Sequence, residues 1–310
     1  MKVSSKINKM LLGVILLGCA SAHSQQDPQY TNYMYNTVNI NPAYAGNRGV
    51  LSVFGLHRTQ WVGLDGAPTT NAFSIHTPIE GSKLGIGLSF VNDRLGVTEE
   101  NTASIDVSYT VDLNQRGSKL SFGIKGTANF LNVEYSRLKA AHPNDPYLAA
   151  NIENQFTPNI GAGVYWHNDN TYLGLSVPNF LENNRFDEGV YSSMNQRMHF
   201  FLTGGHVFEV NPMLKFKPAF LLKAVEGAPL QADVTGNFLI HDKLVLGAGY
   251  RWSAAWSALA GFHLTDELFI GYAYDSETTK LHTYNSGSHE VFLRYELFKK
   301  YRRVNSPRFF

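Results

Sequence analysis

The clearest pattern in the sequence is the stretch Asn101–Leu113, "NTASIDVSYTVDL", followed by Lys119–Leu131, "KLSFGIKGTANFL". In the first run an apolar side chain occupies every second position from Ala103 to Leu113, with serine, threonine or aspartate between. Only a pleated strand places two such sets on opposite faces, because its side chains alternate with a period of two. The intervening residues, NQRGS, have turn composition, so the two runs predict a β-hairpin.

The same alternation recurs along the rest of the chain. Many of these runs approach ten residues, the length of a tilted strand that crosses a membrane, whereas sandwich strands usually have about five or six. We therefore predict an all-β fold, a transmembrane antiparallel β-barrel of about fourteen strands. The predicted strands are Val50–Thr59, Thr69–Ile79, Leu84–Asn92, Asn101–Leu113, Lys119–Leu131, Asn159–His167, Thr171–Val177, Arg197–Phe208, Leu214–Ala224, Leu230–Ile240, Leu244–Ser253, Trp256–Leu264, Leu268–Asp275 and His289–Phe298.

The lengths of the connections support a barrel of the outer-membrane type, which has short periplasmic turns and longer outer loops. Every second connection is short: EGSK, NQRGS, NDN, EVNP, HDK and TDE. The longer ones lie around Asp65, Arg94, Asn144, Glu182 and Ser276, and the longest spans Asn132–Thr157. Two connections that the pattern expects to be long, near Gly227 and Ala254, are short. An even strand number puts both ends of the barrel on the periplasmic side.

Composition agrees with a surface that faces lipid. The 26 basic and 25 acidic residues give a net charge of +1 and no basic patch, so a nucleic-acid partner is not expected. The apolar face carries aromatic rings near the strand ends, which suits the headgroup layers of a bilayer. These rings are Tyr109, Trp166, Trp252, Trp256, Tyr272, Tyr274 and Tyr295.

The first residues have the pattern of a secretory signal peptide. Lysines precede the apolar run Met10–Gly18, and small residues follow it. Cleavage after Ala22 or Ser24 and lipidation at Cys19 both remain open. We predict a signal peptide at 1–24, an N-terminal segment at 25–48, a barrel at 49–298 and a basic tail at 299–310.

The polar face of the predicted strands points into the barrel. It carries glycine pairs and charged residues, which either line a water channel or pair with one another and with backbone that fills the lumen. The sequence "NPAYAG" ahead of the first strand predicts a helical turn capped by Asn41, with Pro42 at its first position and Gly46 at its end. We expect this N-terminal segment to lie in the lumen or at the periplasmic mouth.

The sequence contains no G-x-S-x-G nucleophile motif and no H-E-x-x-H zinc motif. Ser286 and Ser288 beside His289 could imitate a serine and its base, but "YNSGSHE" is also ordinary loop composition. The acidic loop "HPNDPYLAANIENQ" lacks the ligand spacing of an EF-hand. We therefore expect no enzyme activity, no catalytic residue, no metal and no cofactor.

The two stretches "QQDPQYTNYMYNTVNINPAYAG" and "HRTQWVGLDGAPTT" resemble the N-terminal hallmarks of the PorP/SprF family of type IX secretion and gliding-associated membrane proteins. The resemblance implies an outer-membrane barrel that acts by interaction. It also implies partners among the periplasmic and outer-membrane type IX secretion components, and a surface adhesin or cargo with a type B C-terminal domain, besides outer-membrane lipid. The matching positions, taken as motif residues that would shape the partner-facing or lumen-closing end of the barrel, are Asn41, Pro42, Ala43, Tyr44, Ala45, Gly46, Arg58, Gln60, Trp61, Gly66 and Pro68.

Two other functions stay open on the sequence alone. An outer-membrane diffusion channel or hydrophobic-solute transporter could have the same number of strands. An outer-membrane lipid hydrolase would require a reactive serine such as Ser288.

Overall fold

The computed structural model describes residues 31, 33–114, 117–138, 151–182 and 197–297. The predicted signal peptide, Cys19 and the basic tail lie outside the described residues. Helix α1 spans Thr37–Ile40, and short 3₁₀ turns span Pro42–Tyr44, Tyr135–Arg137 and Lys280–Thr283. In the part of the chain that is described, no helix is long and apolar enough to cross a bilayer.

Fifteen strands are present in the described residues, and they form one antiparallel sheet. They are β1 Leu51–Thr59, β2 Thr69–Pro78, β3 Leu84–Leu95, β4 Thr98–Asp112, β5 Lys119–Val133, β6 Ile152–His167, β7 Thr171–Val177, β8 His199–His206, β9 Phe208–Asn211, β10 Leu214–Val225, β11 Gln231–Ile240, β12 Leu244–Arg251, β13 Ala255–His263, β14 Leu268–Glu277 and β15 Ser288–Leu297.

Fourteen of these strands close into a barrel. Neighbours in sequence pair in order, and β1 pairs with β15 from Leu51 opposite Leu297 to Thr59 opposite His289, which joins the two ends of the sheet. The strand β9 is extra, because it lies beside the start of β10, which also pairs with β8 and β11. The predicted all-β barrel of about fourteen strands is confirmed.

Two local predictions are wrong. The predicted strand Arg197–Phe208 is observed as His199–His206, and the first three residues of the predicted turn EVNP belong to β9, which pairs with the start of β10. The predicted long connection around Arg94 is a tight hairpin between Leu95 and Thr98. Here β3 and β4 continue as a polar ribbon, in which Arg94 forms an ion pair with Glu99.

The longest connection is also shorter than predicted. Strand β5 runs on to Val133 and β6 begins at Ile152, so both strands extend into the predicted loop Asn132–Thr157. The middle of that loop, around Asn144, lies outside the described residues. The short connections near Gly227 and Ala254 are confirmed. We call the end of the barrel with the connections after β1, β5 and β7 the loop end, and the opposite end, where β1 begins, the turn end.

The two faces of the wall differ as the alternation predicts. Along β4, Ile105 and Tyr109 point outward and are half exposed, while Asp106 and Ser108 point inward and are buried. Exposed apolar side chains of this kind cover the outside of most strands, as a wall in lipid requires.

The N-terminal segment fills the lumen. We call residues 31 and 33–50 the plug. Its side chains, among them Tyr33, Val38 and Ala43, are buried against the inner wall. The plug crosses the lumen from Thr31, beside Arg58 near the loop end, to the start of β1 at the turn end. Of the two positions expected for this segment, the lumen and the periplasmic mouth, the structure shows the lumen.

Candidate functional site

The NPAYAG turn lies in the turn-end half of the plug. The backbone N–H of Ala43 donates to Oδ1 of Asn41 at 3.0 Å, so Asn41 caps the 3₁₀ turn Pro42–Tyr44. Proline suits the first helical position, since its missing N–H has no partner there anyway. Gly46 follows with φ of 73°, a left-handed conformation that glycine adopts without steric cost. The predicted turn and its cap are confirmed.

Glycines in the wall make room for this turn. A Cβ atom on Gly123 of β5 would collide with the backbone of Pro42 and Ala43, and one on Gly85 of β3 would collide with the carbonyl of Ala45. These strand glycines therefore mark the close approach of another segment.

Hydrogen bonds from the wall hold the backbone of the plug. The hydroxyl of Ser108 donates to the carbonyl of Ala45 at 2.7 Å, and that of Ser176 donates to the carbonyl of Ile40 at 2.7 Å. Nδ2 of Asn41 donates in the other direction, to the carbonyl of Val164 at 3.1 Å. Because irregular backbone in a barrel must find polar partners, these bonds explain why serines face the lumen.

A cluster of charges holds the loop-end part of the plug. The guanidinium of Arg58 lies 2.7 Å from Oδ2 of Asp275 and 3.0 Å from Oε2 of Glu290, and it donates to the Thr31 hydroxyl at 2.7 Å. Thr31 in turn donates its hydroxyl proton to Asp275 and its backbone N–H to Glu290. We call these four residues the latch. All are buried, and Arg58 forms an ion pair with both carboxylates.

A second cluster fixes the plug where it enters β1. Arg48 forms an ion pair with Glu296 of β15 and donates to the Tyr44 hydroxyl at 3.5 Å. Burial acts to lower the pKa of the Arg48 guanidinium, but the charge of Glu296 and the hydrogen bonds to Glu296 and Tyr44 outweigh burial and raise it. Burial raises the pKa of Tyr35 to about 12, against the nearby charge of Arg294. Arg48 therefore stays charged and Tyr35 stays neutral at physiological pH.

The other inward charges also find partners in the filled lumen. Nζ of Lys125 lies 2.9 Å from Oδ1 of Asp106 and donates to the carbonyl of Val38 at 3.3 Å. Nε of Arg251 lies 3.1 Å from Oδ1 of Asp233. Of the two interpretations of these charges, the described residues favour mutual pairing around the plug over a water-filled channel.

The residues of the second motif, HRTQWVGLDGAPTT, lie partly in the lumen and partly in the β1–β2 loop. Arg58 belongs to the latch, whereas Gln60 and Pro68 close the β1–β2 loop through a bond from the Gln60 N–H to the Pro68 carbonyl at 2.9 Å. Gly66 has φ of 74°, and its carbonyl accepts from the Gly96 N–H at 2.8 Å. The structure thus brings Arg58 to the plug but keeps Gln60, Gly66 and Pro68 at the loop end.

Trp61 connects this loop to the last two strands. Its φ of 47° is left-handed, a conformation that strains a bulky residue and must be held by its surroundings. Its backbone N–H donates to Oγ of Ser288 at 3.2 Å, and its ring N–H donates to Oε1 of Glu277 at 3.0 Å. These bonds attach the β1–β2 loop to β14 and β15 beside the latch.

The serine and histidine that could imitate a catalytic pair lie on opposite faces of β15. Ser288 is buried and accepts from Trp61, whereas Nδ1 of His289 lies outside the wall, 2.6 Å from the Tyr272 hydroxyl. The described residues contain no group of three or more histidine, cysteine or acidic side chains placed to hold a metal ion. The acidic loop "HPNDPYLAANIENQ" lies mostly outside the described residues.

Sequence reasoning missed three residues of the latch. Thr31, Asp275 and Glu290 are far apart in sequence, and only closure of the barrel brings them to Arg58. The period of two places Glu290 on the inner face of its strand, which is the one signal that could point to it.

The turn end of the barrel is open below the plug. A cavity of about 760 Å³ lies there, with Gly46, Asn47, Thr77, Asp112 and Leu297 among its lining residues. The end of the NPAYAG motif thus reaches the mouth of the barrel. The other half of the motif remains inside the wall, against β4, β5 and β6.

The closed sheet, its apolar exterior and its filled interior define an outer-membrane β-barrel. Its fold is similar to that of the CymD monoaromatic hydrocarbon channel, with a TM-score of 0.51 and 10% identity over 86% of this chain and 93% of that chain. The TodX deltaS2S3 mutant monoaromatic hydrocarbon channel gives a TM-score of 0.48 and 10% identity over 90% of this chain and 97% of that one. Omp33 of Acinetobacter baumannii gives 0.47 and 8%, over 81% and 100%.

At such low identity the likeness concerns the fold alone. No curated protein matches the chain significantly. Residues 22–295 match the family described as type IX secretion system membrane protein PorP/SprF. The chain belongs to this family, and it is an outer-membrane component of the type IX secretion class rather than a member of a known enzyme class.

Proposed function

We propose that this barrel assists the export or surface anchoring of a particular partner protein in the type IX secretion and gliding pathway, such as an adhesin with a type B C-terminal domain. The observation that carries the proposal is the plugged lumen. Side chains of both motifs hold a plug across it, Asn41 in the NPAYAG turn and Arg58 in the latch. A barrel filled in this way is suited to contact proteins at its two ends.

The two ends offer different surfaces for partners. Short turns are periplasmic in outer-membrane barrels, so the turn end, with its cavity of about 760 Å³, would face periplasmic components of the secretion system. The loop end would face the cargo. At that end the β1–β2 loop is braced by Trp61 on Ser288 and Glu277, which gives a partner a rigid surface.

The experiment compares the surface and secreted proteomes of the source bacterium with and without this chain. Loss of one adhesin-like protein from the surface would support a dedicated partner, and loss of all type IX cargo would support a core role in the machine. Unchanged secretion would refute the proposal.

A complementation series adds a structural readout. The deletion strain receives either the natural chain or Trp61→Leu, which removes the bond to Glu277, with Trp252→Leu as the matched control. Trp252 lies in a loop-end turn and is 70% exposed. We expect Trp61→Leu to reduce cargo display while the barrel still reaches the outer membrane, and Trp252→Leu to leave display unchanged.

The second candidate is a diffusion channel or hydrophobic-solute transporter. The fold likeness to a hydrocarbon channel favours it, although that likeness extends to the fold only. Conductance of the purified barrel in planar bilayers separates the two candidates. Steady ion conductance by the natural chain would favour the channel, whereas a closed baseline together with a co-purifying protein would favour the interaction role.

A further inference from the structure

The residues that hold the β1–β2 loop adjoin the latch on the inner faces of β14 and β15. Because side chains alternate along a strand, Glu277 lies on the same inner face as Asp275, two positions nearer the loop end. Ser288 has the same relation to Glu290 on β15. Asp275 and Ser288 also lie opposite each other in the register of the two strands. The two side chains that contact the loop are therefore immediate neighbours of two residues of the latch.

The backbone forms a second connection between the loop and the latch. Only two residues separate Arg58, near the end of β1, from Trp61. The next N–H, that of Val62, donates to the carbonyl of Gly287 at 2.9 Å, and the N–H of Ser286 donates to the carbonyl of Val62 at 2.8 Å. A movement of the loop therefore acts on the end of β1 and on the start of β15 together.

The conformation of Trp61 gives the loop a second state. Its φ of 47° is costly for a bulky residue, so this conformation persists only while the surrounding contacts hold it. The bonds to Ser288 and Glu277 supply those contacts. If they break, the backbone of Trp61 can return to an ordinary conformation, and the loop then moves away from β14 and β15.

The start of the plug depends on the same two strands. Thr31 bonds to Asp275, to Glu290 and to Arg58, so it requires these three side chains to stay aligned. From this juxtaposition we propose that the β1–β2 loop and the plug are coupled. Release of Trp61 loosens the latch and frees the first part of the plug, and release of the latch loosens the loop.

The coupling gives the loop end a means of acting on the lumen. A protein that binds at the loop end and displaces Trp61 would favour the state in which the first part of the plug is free, because a ligand shifts an equilibrium toward the state that it binds better. The coupling itself depends only on contacts within this chain. Its use by a partner rests on the proposed function.

The test is amide hydrogen exchange of the purified full chain, read by mass spectrometry. Ser288→Ala removes the acceptor of the Trp61 N–H, and Trp61→Leu removes the ring donor to Glu277. Each variant loses one hydrogen bond, so we expect exchange of residues 33–40 to accelerate about twofold to tenfold. The matched control is Trp252→Leu in another loop-end turn, which should leave exchange of the plug unchanged.

A variant of the plug tests the opposite direction, because coupling between two sites is reciprocal. Thr31→Val keeps the shape of the side chain and removes the hydroxyl that bonds to Asp275 and Arg58. Thr31 is remote from the β1–β2 loop in sequence, so an effect on the loop must pass through the latch. We expect exchange of residues 60–68 to accelerate about twofold to tenfold in this variant.

Thermal unfolding shows whether each variant retains the barrel, and if Trp61→Leu fails to assemble, Ser288→Ala tests the same contact. Faster exchange of the loop in Ser288→Ala with natural exchange of the plug would overturn the coupling, and so would natural rates in both segments. Equal acceleration of the plug by Trp252→Leu would also overturn it. The assay needs no cargo, so its failure would leave the proposed function standing, and natural cargo display without this chain would leave the coupling standing.

Discussion

Replacement of Arg58 by methionine isolates the contribution of the latch. The substitution keeps most of the side-chain volume but removes the guanidinium that neutralises Asp275 and Glu290, and it removes the bond to Thr31. Both carboxylates then lie buried without their cation. We expect the first part of the plug to leave the lumen, so that water can solvate the two carboxylates.

The magnitude follows from the burial of these groups. The side chains of Arg58 and Asp275 are 2% exposed and that of Glu290 is 0% exposed. Removal of one partner from a buried ion pair costs about 3–5 kcal/mol. If opening of the plug recovers most of this cost, amide exchange of residues 33–40 accelerates roughly a hundredfold to several thousandfold.

The assay is hydrogen exchange read by mass spectrometry on the purified barrel. Arg94→Met is the matched control, because Arg94 also pairs with a glutamate, at 2.9 Å from Glu99, but its side chain is 63% exposed. Exposed pairs contribute at most about 1 kcal/mol, so exchange of the plug should not change in this variant. If the amides of residues 33–40 exchanged at the same rate in an intact Arg58→Met barrel as in the natural chain, the role of the latch would be refuted.

Three further substitutions test the contacts that hold the plug in the lumen. Gly123→Val should displace the NPAYAG turn, because its Cβ would collide with the backbone there, and ion conductance in planar bilayers should rise. Lys125→Met should lower stability by about 3–5 kcal/mol in urea unfolding, since Asp106 is left buried without a cation. Asn41→Ala should cost about 1 kcal/mol for the lost cap, seen as a lower unfolding midpoint. The control for Gly123→Val is Gly126→Val, which adds the same side chain on the outer face of the same strand. No atom lies within 4 Å of the new Cβ there, so we expect no rise in ion conductance. The double variant Lys125→Met with Asp106→Leu should recover most of the lost stability. Equal conductance of the two glycine variants, or no recovery in the double variant, would contradict the packing described.

The barrel itself was predictable because its signal is local. Alternation from Ala103 to Leu113 fixes the face of every side chain in that strand, and the structure buries Asp106 and exposes Ile105 accordingly. The NPAYAG turn was equally predictable, since cap, proline and glycine act within six positions. Glycines on the inner face also favour a lumen position for the segment, because glycine inside a strand often marks the close approach of another segment.

What the sequence did not predict depends on contacts across the barrel. The alternation of side chains places Arg58 and Glu290 on the inner faces of their strands. Nothing in the local sequence indicates that they contact each other or that Thr31 bonds to both. The polar hairpin of β3 and β4 has the composition of a loop, because asparagine, aspartate and glutamate are weak strand formers. There, cross-strand bonds such as that from Asn92 to Glu99 at 2.7 Å outweigh the local preference.

The latch has a consequence for how the molecule is assembled. Among the strand pairs of the described barrel, the first and last strands are the farthest apart in sequence, and Arg58 and Glu290, which lie opposite each other in them, are 232 positions apart. Because closure of so long a loop is entropically costly, we expect this pairing to form late in folding. Thr31 bonds to three successive strands at this joint, β14, β15 and β1. Because Thr31 reaches all three strands, we expect the plug to help align β14, β15 and β1 when the ring closes. In a chain without the plug, the side chains of Arg58, Asp275 and Glu290 would lose their hydrogen bonds with Thr31 at this joint.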